Sequence, residues 1–478
     1  MNHYDLLLVN PPSLIDKPDI GYGGGVLAHT EISEKLKVKA MNPGLLSITS
    51  YILSKNYSVK LVDLSLSNNY DELNQELTSN KFRFAGVSST SGFDYNESLK
   101  CLEIIKQTDK QIVSLIGGQH AGALGSLAFS DTPNLDVLCM YEGESVVEQI
   151  LQGNPLKSID GIIFKKEGGI IVKSNYPKII PLDDLPSLNF KAYPNFIKFA
   201  PFIEESRGCF SKCYYCTSEY INNGKLRRKS VNNILEQTKA AINLWGKDPI
   251  YILAASTFGS DVKHMRELSS GLKDLGIKWT AEFRADSKWY EHMDELVESG
   301  LSVAVVGLEN ASPEILLRMG KTKNPDKYLN SMQNIISEKK KFGDLVLRLN
   351  MMFYLGETPK TIKDNISFLS ENADGIDAIL YTPVFINPGT KIFNSFNEFE
   401  NEFGAKLLQS EFWDRRHLHI CHPSKYFSFE ESLSFCDIME KIFSTERGWF
   451  ESEKFHYVKD QVSDQEILEE RFSRRELI

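Results

Sequence analysis

Short apolar runs alternate with amphipathic stretches over roughly the first 150 residues, a pattern that predicts βαβ units around a parallel sheet. Asp5-Leu-Leu-Leu-Val-Asn10 reads as the first strand. Val59-Lys-Leu-Val-Asp63, Phe84-Ala-Gly-Val-Ser88, Ile112-Val-Ser-Leu-Ile116 and Val137-Leu-Cys-Met140 follow, with helical patterns such as Gly44 to Lys55 and Glu97 to Gln107 between them. From 155 to 200 the pattern breaks into Ile162-Ile-Phe164, Ile170-Ile-Val172 and the proline-marked Pro181-Leu-Asp-Asp-Leu-Pro186, which predicts a hairpin and a linker. A second alternating series then starts at Phe202-Ile203. It continues through Ile250-Tyr-Ile-Leu253, Trp279-Thr-Ala-Glu-Phe283, Val303-Ala-Val-Val306, Val346 to Tyr354 and Ala378-Ile-Leu-Tyr381. Six such units in about 190 residues fit a partial (β/α)6 barrel of the TIM type, with its chemistry at the carboxyl ends of the strands. The expected fold is therefore α/β: a Rossmann-like, doubly wound parallel sheet over 1–154, hairpin and linker over 155–200, the barrel over 201–394, and a small, mostly helical segment over 395–478.

Composition narrows the class. The 478 residues, 42% hydrophobic and 25% charged, have the balance of a folded chain of two or three domains. A formal charge of −10 works against wholesale binding of nucleic acid or of an anionic membrane. The opening residues lack the basic and long apolar regions of a secretory signal, and no run reaches the ~20 apolar residues of a membrane span, so a cytoplasmic protein is expected. Seven cysteines in such a chain point to free thiols or metal ligands.

Several strand ends of the first domain carry turn-forming segments: Asn10-Pro-Pro12, Ser88-Ser-Thr-Ser-Gly92, Gly117-Gly-Gln-His-Ala-Gly122 and Tyr141-Glu-Gly-Glu144. Open α/β sheets bind ligands at this edge, and the glycines allow close approach of backbone to a bulky group; tight βα turns would account for them equally well. Gly21-Tyr-Gly-Gly-Gly25 lacks the setting of a dinucleotide fingerprint, and no Walker-type loop occurs.

The chemistry concentrates in Glu205-Ser-Arg-Gly-Cys209-Phe-Ser-Lys-Cys213-Tyr-Tyr-Cys216, just after the first barrel strand. Three thiolates in one glycine-opened loop can share a metal centre and leave one coordination position open, as a reactive iron-sulfur cube requires. A zinc site completed by a distant ligand, or chance clustering, are the alternatives.

The spacing Cys-x3-Cys-x2-Cys, with Tyr215 before the last cysteine, resembles the signature of the radical S-adenosylmethionine (SAM) superfamily. The resemblance runs to about residue 395 and is closest to members with an N-terminal cobalamin-binding-type domain. Asn10-Pro-Pro12, Pro43-Gly-Leu-Leu46, Gly117-Gly118 with His120, and Glu142-Gly-Glu144 are similar to that first domain. In the barrel, Gly307-Leu-Glu-Asn-Ala-Ser-Pro313 with Arg318-Met319 and Lys321, Gly356-Glu-Thr358 and Asn387-Pro-Gly-Thr390 are similar to its strand-end motifs. The resemblance implies that Cys209, Cys213 and Cys216 hold a [4Fe-4S] cluster whose open iron chelates SAM. It places Tyr215 beside the adenine, Glu309 at the ribose, Ser256 and Thr257 near the methionine end, and Arg284 as a partner for the carboxylate. An ordinary ion pair at the barrel rim is the other reading of Arg284 and Glu309. Ala255-Ser256 stands where an acidic pair is usual, and Phe353 and Leu355 stand where Gly and Pro are usual.

The resemblance leaves two outcomes for the first domain: cobalamin binding, with Ser88, Ser89, Gly117 and Gly118 as cradle positions, or a scaffold without cobalamin. No histidine stands in the Asp-x-His-x-x-Gly context of the mutases. The first outcome implies C-methylation of a small-molecule or natural-product substrate; the second implies a radical lyase, dehydratase or rearrangement enzyme, and an iron-sulfur redox sensor is the reading outside catalysis. The partners implied are a small-molecule substrate and a flavodoxin- or ferredoxin-type reductant, without nucleic acid or membrane. His417-Leu-His419-Ile-Cys421-His422 has metal-like spacing but reads more simply as a strand or loop on the barrel. Lys225-Leu-Arg-Arg-Lys229 reads as a surface loop, and Cys101, Cys139 and Cys436 as buried apolar residues.

Overall fold

The computed structural model describes residues 1–12, 40–92, 94–166, 169, 171–173, 175–218, 222, 224–408, 420–457 and 463–472; Gly21–Gly25 lies outside them. Leu6, Leu7, Leu8 and Val9 are all buried, so β1 (Asn2–Asn10) carries the continuous apolar run of a strand covered on both faces. It pairs in parallel with β2 (Val59–Asp63) on one side and β3 (Asn80–Ser88) on the other. β4 (Val113–Gly117) and β5 (Val137–Cys139) extend the sheet in parallel beyond β3. Strand order therefore reverses at β1, and the crevice beyond the carboxyl ends of β1 and β3 is the binding position of this architecture. The hairpin, β6 (Ile162–Lys165) and β7 (Ile171–Lys173), pairs antiparallel with β5 and its own partner, so it completes the first sheet to seven strands rather than standing between domains.

The helix Pro43–Ser54 starts at this crevice. Asn42 caps it, its side chain accepting from Leu45 N at 3.1 Å, and Pro43 at the first position has no N–H to satisfy. Asn42 Nδ2 also donates to Asn10 Oδ1 and Ser88 Oγ, each at 3.0 Å, tying β1, β3 and the helix together. The linker is anchored at the same place. The Tyr193 hydroxyl donates to Asp63 Oδ2 at 2.8 Å and accepts from Asn42 N at 3.0 Å, while Phe190 packs edge-on against Trp245 of the second domain.

The second sheet is parallel throughout, in the order β15-β14-β13-β12-β11-β8. Its strands are β8 (Phe202–Glu204), β11 (Ile250–Phe258), β12 (Lys278–Arg284), β13 (Leu301–Glu309), β14 (Val346–Phe353) and β15 (Ala378–Pro383). Helices between them cover the outer face: Trp279, Ala281 and Phe283 of β12 are buried there, Phe283 stacking on Trp289 at 4.1 Å. Ile250, Val303, Val305 and Val346 form a separate apolar cluster with Phe455. The helix Phe429–Phe443 packs on β15, where Glu440 Oε1 accepts from Tyr381 N at 2.6 Å and Ser444 Oγ from Ile379 N at 3.1 Å. These bonds cover backbone donors of an edge strand that would otherwise be open. Among the described residues no helix is long and apolar enough to cross a membrane.

Candidate functional site

After β8 the chain turns through β9 (Ser206–Arg207) into the cysteine loop. Gly208 sits at φ +91°, and a Cβ there would lie 2.0 Å from Lys225 O, so only glycine fits. Cys209 and Cys213 are buried, whereas Cys216 is exposed to a cavity described below. Backbone N–H groups address two of the sulfurs: Ser211 N donates to Cys209 Sγ at 3.3 Å and Ser218 N to Cys216 Sγ at 3.4 Å. Arg284 Nη1 lies 4.0 Å from the third, Cys213 Sγ. Burial pushes the Cys216 thiol up to about 11, and a metal is what would favour its thiolate. Among the described residues no three His, Cys, Asp or Glu gather where one metal ion would sit.

The loop is fixed to the rest of the barrel at Tyr214. Its N–H donates to Met319 O at 2.9 Å, its carbonyl accepts from Ile392 N at 3.0 Å, and Lys391 Nζ stands 3.4 Å over its ring. Two of the strand-end motifs thus hold the cysteine loop directly.

The barrel residues singled out by sequence converge here with different degrees of freedom. Thr257, at the end of β11, is buried and its Oγ1 has no partner among the described residues, as expected of a group awaiting a ligand. The side chain of Ser256 lies outside the described residues. Glu309 ends β13 at φ +65°, a strained conformation for a non-glycine residue. One of its oxygens accepts from Lys321 Nζ at 2.8 Å over Gly307, whose missing side chain makes room for it. Tyr215 packs edge-on to Tyr354 at 6.2 Å; burial, then the Glu309 and Cys213 charges, raise its phenol well above the usual range. Arg284 is already engaged. Its Nε and Nη2 donate to the two oxygens of Asp286 at 2.8 and 2.9 Å, and Nη2 also to Lys321 O at 3.1 Å. The rim ion pair is therefore what the structure contains, and Arg284 braces the cysteine loop rather than presenting a free fork.

Two features of this site were not singled out from sequence. Tyr354, between the unusual Phe353 and Leu355, is fully buried with a hydroxyl that has no partner among the described residues. Glu357 is buried at its motif, pushed up to about 7 by desolvation against donors from Thr361 and Asn310, the latter at 2.7 Å.

At the carboxyl ends of the first sheet lies a cavity of about 430 Å³. Ser88, Gly117 and Gly118 line one side, and Cys216, Thr217 and Ser218 of the cysteine loop line the other. Ser89 is fully buried behind this wall: a Cβ on Gly118, at φ +107°, would lie 2.3 Å from Ser89 O. Gly118→Ala is expected to cost about 1–3 kcal/mol from backbone strain alone, measured as a fall in the unfolding midpoint in urea. Gly86 and Gly117 flatten the same wall, so the space suits a large ligand, and the Ser218 hydroxyl opposite is buried without a partner among the described residues.

Arg207 spans the rim of the cavity, within 3.2 Å of Glu142, 2.9 Å of Glu144 and 2.6 Å of Glu204. The basic run 225–229 is not the surface loop expected. Arg227 and Arg228 form β10 and pair with β9; Arg227 meets Glu142, Arg228 lies 3.4 Å from Glu205, and buried Lys229 lies 3.4 Å from Glu204. Acidic residues distant in sequence neutralise it. His417 and His419 lie outside the described residues. Cys421 and His422 form a short strand; the Cys421 thiol is buried and pushed up to about 12, and His422 Nδ1 accepts from Phe429 N at 3.0 Å.

Comparison with known proteins bears on both halves. The B12 binding domain profile matches residues 32–151 and the radical SAM superfamily profile residues 203–369. An uncharacterized methyltransferase of Pyrococcus horikoshii is 25% identical over 382 residues, covering 77% of this chain and 81% of the relative. The cytidylyl-2-hydroxyethylphosphonate methyltransferase of Streptomyces wedmorensis is 24% identical over 52% of this chain and 55% of its own length. Among solved structures, the cobalamin-dependent SAM radical enzyme OxsB superposes over 95% of this chain and 70% of its own, with a TM-score of 0.71 at 16% identity. The radical SAM methyltransferase TsrM of Kitasatospora setae covers 90% and 84%, with a TM-score of 0.66 at 13% identity. These two show a shared fold. The two domain types bring with them SAM and a [4Fe-4S] cluster for the barrel and cobalamin for the first sheet. With a parallel sheet of one type ahead of a barrel of the other, the chain belongs to the radical SAM enzymes that carry an N-terminal B12-binding domain.

Proposed function

We propose that this enzyme is a cobalamin-dependent radical SAM C-methyltransferase acting on a small molecule, supplied with electrons by a flavodoxin- or ferredoxin-type protein. The observation that carries the reading is the shared cavity: one wall is the predicted cobalamin cradle and the other is the loop of Cys216. Cys209, Cys213 and Cys216 would hold the [4Fe-4S] cluster, Tyr215, Thr257 and Glu309 would hold SAM, and Ser88, Ser89, Gly117 and Gly118 would shape the cobalamin cradle. When bound, cluster and SAM supply a hydrogen-abstracting 5′-deoxyadenosyl radical and cobalamin supplies the methyl group.

The chain's own part is placement and exclusion of water. Arg284, held by Asp286, keeps a positive charge beside the Cys213 sulfur. Thr257 Oγ1 offers an unengaged hydroxyl, and Glu309 has one carboxylate oxygen beyond its bond to Lys321. The Tyr214 anchors keep the cysteine loop at the junction of barrel and first domain. The test is anaerobic reconstitution with iron, sulfide and hydroxocobalamin, followed by metal analysis after removal of excess. Near-stoichiometric cobalt beside one cluster is expected. A cluster without cobalt would overturn the methylation reading in favour of a cobalamin-independent radical reaction, and failure to form 5′-deoxyadenosine with a strong reductant would leave a redox sensor.

A further inference from the structure

Side chains alternate along β12. Trp279, Ala281 and Phe283 lie in the core under the helices, so Thr280, Glu282 and Arg284 face the barrel interior. The 4.0 Å approach of Arg284 to Cys213 marks that same face at the barrel mouth. Glu282 lies two residues below Arg284, about 7 Å deeper along the strand. Its side chain is solvent-accessible, yet burial is the main influence on its carboxyl, raising it above the usual range. By the strand alternation it faces the side enclosed by the barrel strands, paired in register with Val305 of β13, and not the outer face that Trp279, Ala281 and Phe283 occupy.

The cations in electrostatic reach of this space already have partners. Arg348 on β14 pairs with Glu453 and donates to Ser452 O and Asn350 Oδ1, each at 3.2 Å. Lys321 pairs with Glu309 at 2.8 Å, and Arg284 pairs with Asp286 at 2.8 Å. His456, in reach of Arg348, is kept neutral by burial and by that charge, its pKa lowered to about 3. Glu282 makes no hydrogen bond or ion pair with any described residue. Of Glu453, Glu309, Asp286 and Glu282, Glu282 alone has no cation partner among the described residues, which leaves its carboxylate open to a ligand.

We propose that Glu282 is the substrate-recognition carboxylate of the barrel chamber and receives a cationic nitrogen of the substrate, a protonated amine or a guanidinium. The inference deepens the methyltransferase reading and rests on it only for there being a substrate in this chamber. The depth of Glu282 below the barrel mouth separates it from the groups assigned to SAM, which stand at the strand ends with the cysteine loop.

The test uses reconstituted, SAM-loaded protein and probes matched in shape but not in charge: n-butylammonium against n-butanol, and methylguanidinium against methylurea. Binding is followed by thermal shift and equilibrium dialysis. The cationic member of each pair is expected to bind, the neutral member to bind at least tenfold more weakly, and Glu282→Gln to remove that difference while iron content and SAM affinity stay at wild-type values. Glu282→Asp, which keeps the charge, is expected to restore part of it. Equal binding of charged and neutral probes, no binding of either cation, or cation binding undiminished in Glu282→Gln would overturn the proposal, as would a loss of SAM affinity in that variant. Equal binding of charged and neutral probes by the wild type overturns the proposal even if a variant fails to fold. A chain that binds the cations selectively but takes up no cobalt would sink the methylation reading and leave this one standing.

Discussion

Cys213→Ala protein, reconstituted anaerobically beside the wild type, is expected to lose most of its iron and sulfide and to form 5′-deoxyadenosine only at background level. Of the three cysteines, Cys213 is the one whose sulfur has a guanidinium beside it, and Arg284 cannot leave because Asp286 holds it through two bonds. Removing the sulfur should leave the loop in place, since the adjacent Tyr214 is fixed through its N–H, its carbonyl and its ring. Lost cluster with retained fold, judged by an unchanged thermal midpoint of the apo protein, therefore distinguishes a ligand from a structural cysteine. Cys101→Ala, in the core of the first domain, should keep the iron. Wild-type iron and wild-type SAM cleavage in Cys213→Ala would remove the cluster assignment altogether.

Arg207→Met is expected to destabilise the folded chain by about 3–5 kcal/mol, the usual consequence of deleting one partner from a buried ionic group. Three carboxylates lie within 3.2 Å of this guanidinium, from two segments of the chain, and without it Glu142, Glu144 and Glu204 would face one another. Burial alone would raise Glu144; Arg207, and then the Ser47 hydroxyl, overrule it and hold the carboxyl below its usual value. In the variant that support is gone, so the folded-state pKa rises above the unfolded one. A carboxyl raised in the folded state contributes most at low pH and loses its contribution as pH climbs. The deficit in urea unfolding should accordingly be larger at pH 8 than at pH 5. A deficit below about 1 kcal/mol, or one that does not shrink on acidification, would show that the cluster is a solvated surface network.

Much of this organisation is legible in the residues. Leu6–Val9 and the later apolar runs announce parallel strands because a strand covered on both faces has no polar side to hide, and the strand-end motifs fall where the two sheets bind. The cysteine loop is legible because its spacing is local. What escapes is what depends on partners distant in sequence. Arg227, Arg228 and Lys229 read as a solvated run because Glu142, Glu204 and Glu205 come from other segments to neutralise them. The membership of Ile162–Lys165 and Ile171–Lys173 in the first sheet is hidden because short apolar runs do not say which edge they will cover. Glu282 passes for the polar side of an amphipathic strand, since alternation does not distinguish a barrel interior from bulk solvent. Arg284 is the converse case: its partner Asp286 stands two residues away, so the rim ion pair is within reach of a sequence reading.

The cavity between the first sheet and the cysteine loop has walls from both domains. A group enclosed in that way contacts each domain only while the other is in position, which makes its residence time a property of domain separation. Exchange of a large bound group would then proceed at the rate at which the two halves part, however weak its contacts with either alone. The ion pairs Arg207–Glu142, Arg207–Glu144 and Arg227–Glu142, which span the same junction, would set that rate, and because they are largely withdrawn from solvent the rate should change little as salt is added.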